Sequence, residues 1–417
     1  MFHGAHSCRV TSHGDGLWDT GYGDHGLGDV VTQPVVHGGR VHQIAKALGR
    51  PVDSFIDFSA SINPFGPPSS VLEAMQQALP SCGHYPDPSA EDLRMRLAKE
   101  HGISSDSIVL GNGSSELIRI LPLALSLCQG YVAGPTFMEY EASLHIAGAR
   151  CTYVLATSGD KYVPPLKQLS LLVDRIRCAG SQKKAFRNEE SSAAVFVCNP
   201  NSPTGRAVTA RSLRTLYRQI EQAGLWMVVD EAFIDFCPSH SLIKEIPNAR
   251  RLLILRSFTK FYGMPGIRLG YLVGAPETVT TIRRLLPPWS VSHFAQEAGV
   301  AALNDVKFRQ RSVKFMQQER QRFMTALRGV PGLRIIPASA NFVMVELPSK
   351  CVTDSLVSRL TQQGILVRDC RTFSGIHQPS LRLAIRYPRD NNKVIQALKE
   401  ALRDNRNQVP ADGGLAE

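Results

Sequence analysis

Six short apolar runs, each passing straight into a polar cluster, set the main limits on what this chain can fold into. They lie in "SIVLGNGSSE", "GYVAGPTF", "AAVFVCNPNSPTG", "LWMVVDEAFIDF", "RLLILRSFTKF" and "GIRLGYLVGA". A strand that is apolar on consecutive residues, without alternation, is buried on both faces. Helical stretches separate several of these runs. "VLEAMQQAL" (71–79) and "AEDLRMRLAKEHG" (90–102) carry helical periodicity, the second with Gly102 as its C-cap. Strands alternating with helices predict an α/β fold with a mainly parallel sheet covered on both sides. In such sheets ligands sit beyond the carboxyl ends of the strands. The clusters Asn112–Glu116, Asn199–Gly205, Asp230–Asp235 and Ser257–Arg268 are therefore expected to converge on one cleft.

After about residue 290 the pattern changes. "VKFRQRSVKFMQQERQRFMTALRGV" reads as a long amphipathic helix. "GLRIIPASANFVMVEL", "GILVRDC" and "SLRLAIRYP" read as strands with helices between them, a second and smaller α+β domain. At the other end, residues 1–34 are rich in Gly, His and Asp and poor in aliphatics, so they read as a flexible extension. His3, His6, Cys8 and His13 are metal-ligand types, but a tail whose histidines have no role explains them on composition alone, and no metal is expected. "CAGSQKKAFRNEESS" (178–192) reads as a polar loop.

The net charge of +11 is compatible with a nucleic acid or a small anionic substrate. The basic residues are scattered, and the densest groups, "QKKAFR" and "RQRSVKF", are short, so no nucleic-acid partner is expected. Nine widely spaced cysteines without a CxxC argue against a disulfide or zinc scaffold and for a reducing compartment. No apolar run reaches membrane-spanning length, and the start lacks a basic-then-apolar leader pattern. The expectation is a cytoplasmic protein with no membrane contact.

Lys260 stands at the end of an apolar run, where burial lowers a lysine's pKa and suits it to bond a carbonyl. Asp230 also ends an apolar strand and needs a cation. That cation is either Lys260 itself or the protonated ring nitrogen of pyridoxal phosphate, which uses such a partner to act as an electron sink. The turn around Ser114 and Ser115 offers amides and hydroxyls to an anion. Ser257 adds a hydroxyl and Arg268 a guanidinium that can fork onto a phosphate. Phe137 is placed to stack on an aromatic ring. Each of these alone is what an ordinary turn or core would also show. Their joint position at the strand ends of one sheet points to a site.

"NPNSPTG" (199–205), "DEAFIDF" (230–236) and "SFTKFYGMPGIRLGY" (257–271), in that order, resemble the fold-type-I pyridoxal-phosphate enzymes of the aminotransferase class I/II group, over about residues 35–405. Two subfamilies are close, the histidinol-phosphate aminotransferases and the L-threonine-O-3-phosphate decarboxylases of cobalamin biosynthesis. "HGG" (37–39), "DFSASINPFGPP" (57–68) and "PPWSVS" (287–292) look like the decarboxylase pattern. The resemblance implies a seven-stranded, mainly parallel sheet between helices in a large domain, 76–289. It also implies an N-terminal arm with part of the small domain, 35–75, a small C-terminal domain, 290–410, and a tail, 411–417.

The resemblance further implies that Lys260 bonds the cofactor and Asp230 pairs with its ring nitrogen. Ser114, Ser115, Ser257 and Arg268 would hold its phosphate, Phe137 would stack on the ring, and Asn201 would meet its phenolic oxygen. Ser202, directly before Pro203, departs from the commoner "NNPTG", and Phe233 stands where the aminotransferases often carry Tyr. Tyr85 matches a tyrosine that such enzymes lend to the partner subunit's phosphate site, which implies a homodimer with shared active sites. For a small phosphorylated amino-acid substrate, Arg382 and Arg386 are read four apart on one strand face as a carboxylate clamp, with Arg386 favoured. His37, with Gly38 and Gly39, and Arg368 are candidates for the substrate phosphate. The implied reaction is decarboxylation of threonine phosphate. Histidinol-phosphate transamination and phosphoserine decarboxylation are the alternatives.

Overall fold

The computed structural model describes residues 37–182, 192–348 and 350–406, which belong to one compact unit. The N-terminal histidines, residues 1–34, most of the polar loop at 178–192 and the tail at 411–417 lie outside the described residues.

The described strands are β1 (Ile56–Asp57), β2 (Ile108–Asn112), β3 (Leu127–Gly134), β4 (Arg150–Leu155), β5 (Ser192–Cys198), β6 (Trp226–Asp230), β7 (Leu252–Ser257), β8 (Leu269–Val273), β9 (Arg334–Ile335), β10 (Phe342–Glu346), β11 (Ile365–Leu366), β12 (Arg368–Asp369) and β13 (Ser380–Ala384). Seven of them form one sheet in the order β2-β8-β7-β6-β5-β3-β4. Only β8 runs against its neighbours. The apolar runs are its interior. Val228, Val229, Leu253, Ile254 and Leu272 are at most 1% exposed, because helices cover both faces.

Local sequence explains the helices. In Ala210–Gln222, Leu213, Leu216, Tyr217 and Ile220 fall on one buried stripe, and Thr209 caps the start by accepting from the Ser212 amide. The helix Glu91–His101 stops at Gly102, whose φ of 66° is left-handed, as the sequence predicts. Among the described residues no helix is long and apolar enough to cross a membrane.

A second sheet, β12-β13-β10-β9, is antiparallel throughout. The long helix Val306–Arg328 and the helix Pro388–Arg406 pack against each other beside it. The arm at β1 pairs in parallel with β11, and the Phe58 amide and carbonyl bond Leu366 and Ala384. The arm thus brings residues 57–61 against the open ends of both sheets.

The parallel strands β3, β5, β6 and β7 end on one edge at Gly134, Cys198, Asp230 and Ser257. β2 ends there too, since Asn112 pairs with Leu269, the first residue of the reversed β8. That topology gathers the four polar clusters.

Candidate active site

A cavity of about 240 Å³ opens at that edge. His37, Gly38, Ser114, Ser115, Phe137, Asp230, Phe233, Ser257, Lys260, Arg268, Arg368 and Arg382 line it, so one space collects residues spread over more than three hundred positions.

Asp230 is buried at the last position of β6. Its Oδ2 accepts from the Tyr140 hydroxyl at 2.6 Å and its Oδ1 from the Ala232 amide at 2.9 Å. Burial raises its pKa, against those two hydrogen bonds and the charge of Lys260. No ion pair joins Asp230 to Lys260 among the described residues, which leaves the carboxylate for a cation of another origin. Lys260 follows β7 by three residues. Burial, then the guanidinium groups of Arg382 and Arg268, lower its pKa to about 8, with Asp230 opposing. About a tenth of the amine is then unprotonated at pH 7, which suits a nucleophile.

The anion cradle depends on small residues. Gly113 has φ of 79°, and a Cβ there would lie 2.4 Å from Arg268 Nη2. A Cβ on Gly270 would lie 2.4 Å from the Ser114 amide nitrogen. Arg268 and the first turn of the helix Ser114–Ala124 close on one another only because both positions are glycine. Ser257 Oγ and Thr259 Oγ1 are 2.8 Å apart and complete the hydroxyl set. This donor set, without a carboxylate in it, fits a phosphate monoester.

Behind the site, Arg256 and Glu231 face each other across β7 and β6 at 3.0 Å, both nearly fully buried. Arg256 also donates to Asp235 at 3.0 Å. Successive strand residues point to opposite faces. The pair therefore sits opposite the cavity and fixes the strand ends that carry Ser257 and Asp230.

On the substrate side, Arg382 is 9% exposed and donates to Ser202 Oγ at 2.8 Å and to the Ser59 carbonyl at 2.9 Å. Burial lowers its pKa to about 10, so it stays cationic at neutral pH. Its Nε, and Ser61 Oγ on the cavity wall, are buried without a partner among the described residues, which is what a site built around a ligand shows. Arg368 donates to Thr372 Oγ1 at 3.0 Å and lies over the Phe373 ring. His37 Nε2 meets Glu139 Oε1 at 2.9 Å, with its ring beside Phe137. Gly39 donates its amide to Ser59 Oγ, and a Cβ on Gly38 would strike the Ser59 carbonyl at 2.2 Å, so "HGG" packs directly on the arm.

Two expectations change. Arg386 does not line the cavity. β13 ends at Ala384, so the strand face that carries Arg382 does not continue to Arg386, which bonds Asp390 and the Asp57 carbonyl instead. Asn201 is also absent from the wall. Its amide accepts from Thr136 and donates to the Pro135 carbonyl and Thr204, tying the ends of β3 and β5 together, and Ser202 takes the wall position. Tyr85, expected to serve the partner subunit's site, is 79% exposed and does not line the cavity of its own chain. Tyr140, Thr259, Ser59 and Ser61 are site residues that the sequence reading does not reach. Tyr140 lies three after Phe137, in the first turn of the helix Glu139–Ile146, and its ring meets that of Phe137 edge-on.

A reversed strand, last of the seven in chain order and set between β2 and β7, with a lysine beyond β7 and an aspartate at the end of β6, is the plan of the fold-type-I pyridoxal-phosphate class. The aminotransferase class I and II family model matches residues 53–398, and this chain belongs to that family. The threonine-phosphate decarboxylase of Salmonella typhimurium is 32% identical, over 88% of this chain and 96% of that protein. A histidinol-phosphate aminotransferase of Methanothermobacter thermautotrophicus is 27% identical over 89% and 95%. The solved histidinol-phosphate aminotransferase of Clostridium acetobutylicum superposes with a TM-score of 0.74 at 28% identity, over 83% of this chain and 99% of that one.

Proposed function

We propose that this enzyme uses pyridoxal phosphate to decarboxylate L-threonine O-3-phosphate, giving carbon dioxide and (R)-1-amino-2-propanol O-2-phosphate for cobalamin biosynthesis. The observation that carries this is Arg382, a buried guanidinium on the cavity wall whose Nε has no partner among the described residues, on the same wall as Arg368 and His37. A buried guanidinium needs an anion, and threonine phosphate brings two anionic groups where histidinol phosphate brings one. The similarity to the Salmonella decarboxylase supports the same choice.

Bound in the cavity, the cofactor supplies an electron sink for the pair left when a bond to the amino-acid Cα breaks. Lys260 would hold its aldehyde, and Ser114, Ser115, Ser257, Thr259 and Arg268 would hold its phosphate. Phe137 lines the wall where the ring would lie. Asp230, whose ionised form the Tyr140 hydroxyl and the Ala232 amide favour against burial, would pair with the ring nitrogen. Ser202, rather than Asn201, is the wall residue nearest the role first given to Asn201. Phe233 offers no hydroxyl there and rests edge-on against Phe342, with ring centroids 5.0 Å apart. Arg382 takes the substrate carboxylate, while Arg368 and His37 take its phosphate. After carbon dioxide leaves, the freed Lys260 amine, with a pKa of about 8, is suited to return a proton to Cα.

Incubation with threonine phosphate and cofactor, with no 2-oxo acid present, tests the reading through carbon dioxide release. A transaminase's dicarboxylate co-substrate would also fill both arginines, so fast amino transfer from histidinol phosphate without carbon dioxide would overturn it. Phosphoserine lacks one methyl, worth about 1–3 kcal/mol in a fitted pocket, and is expected to react more slowly.

Tyr140→Phe removes one of the two hydrogen bonds that favour the ionised form of Asp230 against burial. A hydrogen bond to a charged group is worth about 1.5–3 kcal/mol. The variant is expected to lose roughly ten- to hundredfold in kcat with KM for substrate little changed. Steady-state kinetics on the cofactor-saturated variant check this.

A further inference from the structure

His37 lines the main cavity and also a second one, of about 480 Å³, that adjoins it. Its ring therefore has room to leave the first cavity for the second. The arm fixes the backbone beside it, through Gly38 and Gly39 on Ser59. The ring itself is fixed by Glu139, whose Oε1 meets His37 Nε2 at 2.9 Å from 102 positions away in sequence.

Glu139 opens the helix Glu139–Ile146, where the helix dipole favours an acid. The dipole alone does not account for its burial, at 7% exposed. Its second oxygen, Oε2, accepts from Arg119 Nη2 at 3.3 Å. Arg119 stands four residues after Ser115 on the helix Ser114–Ala124, one turn along from the anion cradle. A carboxylate beside a site for anions repels them unless its oxygens face cations or donors, and here both do. The hydrogen bond to His37, with the charges of His37 and Arg119, holds the Glu139 carboxyl below its ordinary pKa against the opposing effect of burial. Glu139 is therefore ionised at neutral pH.

An ionised carboxylate only accepts, so His37 Nε2 must carry a proton. The nitrogen left for a ligand is Nδ1, which makes no hydrogen bond among the described residues. The Phe137 ring, its centroid 5.7 Å from that of His37, bounds the imidazole on another side.

We propose that Glu139 is a positioning residue: backed by Arg119, it holds the His37 ring in the main cavity with Nε2 protonated and Nδ1 presented to the substrate's phosphate. This rests on the reading that His37 meets that phosphate. Without Glu139 the ring is free to turn over or to swing into the second cavity.

The holoenzyme tests it with O-phosphoethanolamine, which has the amine and the phosphate of the substrate but no carboxylate to lose. Glu139→Met keeps the volume and removes the acceptor. Its dissociation constant for the probe, read from the change in the cofactor's visible absorbance, is expected to rise about tenfold, the scale of one lost hydrogen bond to a charged group. Glu139→Gln retains an acceptor oxygen and is expected to stay within about threefold of the wild type. In a His37→Ala background, Glu139→Met is expected to add less than about twofold, since a positioning residue has nothing left to position. A second measurement needs no change at Glu139. Nitrogen NMR of the holoenzyme with isotope-labelled histidine, assigned by the signals lost in His37→Ala, is expected to show Nε2 protonated with and without the probe. Nδ1 is expected to shift when the probe is added. An unchanged constant in Glu139→Met, a Glu139→Gln as weak as Glu139→Met, or an effect undiminished in the His37→Ala background overturns the positioning role. So does a shift at Nε2, or at neither nitrogen. The probe cannot release carbon dioxide, so a failure of threonine phosphate to decarboxylate refutes only the proposed reaction and leaves these outcomes standing.

Discussion

Lys260→Ala is expected to abolish turnover and the visible absorbance of cofactor held through the lysine, while still binding cofactor weakly through the phosphate cradle. The size of the effect follows from the site. Among the described residues no other amine lines the cavity, so the variant loses both the proposed covalent link and the group proposed to return the proton. A spectrum and a turnover assay on the purified variant check it. Retained colour with full activity would mean that another amine carries the chemistry.

The same lysine leaves a signature on the cofactor-free protein. Its pKa falls from 10.5 in the unfolded chain to about 8 in the fold. Between those values the unfolded chain binds more protons than the native one, so stability rises with pH across that window. Below about pH 8 both states are charged, and the native state carries the whole cost of burying the ammonium, on the order of 3 kcal/mol. Lys260→Met removes the titration and keeps the volume. Urea unfolding of the two apo proteins should therefore show the wild type gaining on the variant from pH 8 to 10.5. Parallel curves would place Lys260 in water rather than in the cavity.

Why the cleft was legible in the sequence, and its substrate side less so, has a physical cause. The strands β5, β6 and β7 are apolar on both faces and give way abruptly to Asn199, to Asp230 and, three residues past β7, to Lys260. Burial and chain direction then leave those residues one place to converge. Asp230, Lys260, Ser114 and Ser257 needed only that logic. Tyr140 and Glu231 needed more. Each lies beside a residue the motifs mark, but its role depends on a partner across the sheet or from a neighbouring helix, and no spacing in one chain encodes that. Asn201 is placed off the cavity wall, and a turn of prolines and polar residues does not reveal which side chain faces inward. Its amide is consumed by Thr136, Pro135 and Thr204, which leaves Ser202 on the wall.

The choice between Arg382 and Arg386 turns on a strand end, and its consequences are large. A period of two would place both on one face, but β13 stops at Ala384, and the chain turns before the second arginine. Arg382→Met is expected to lower kcat/KM for threonine phosphate by about a hundred- to a thousandfold, the cost of removing one partner of a buried charged contact. Most of the loss should fall on KM if the carboxylate is held equally before and during the reaction. Arg386→Met should stay within about threefold in both constants. It should instead lower the unfolding midpoint, since it frees Asp390 and the carbonyl of Asp57 in the arm. Arg382 also steadies Ser202 and the Ser59 carbonyl, so the cofactor spectrum of the Arg382 variant must remain that of the wild type for the kinetic loss to count as substrate binding. An unchanged kcat/KM for Arg382→Met, with the loss appearing at Arg386 instead, would return the carboxylate to the residue that the sequence pattern favoured.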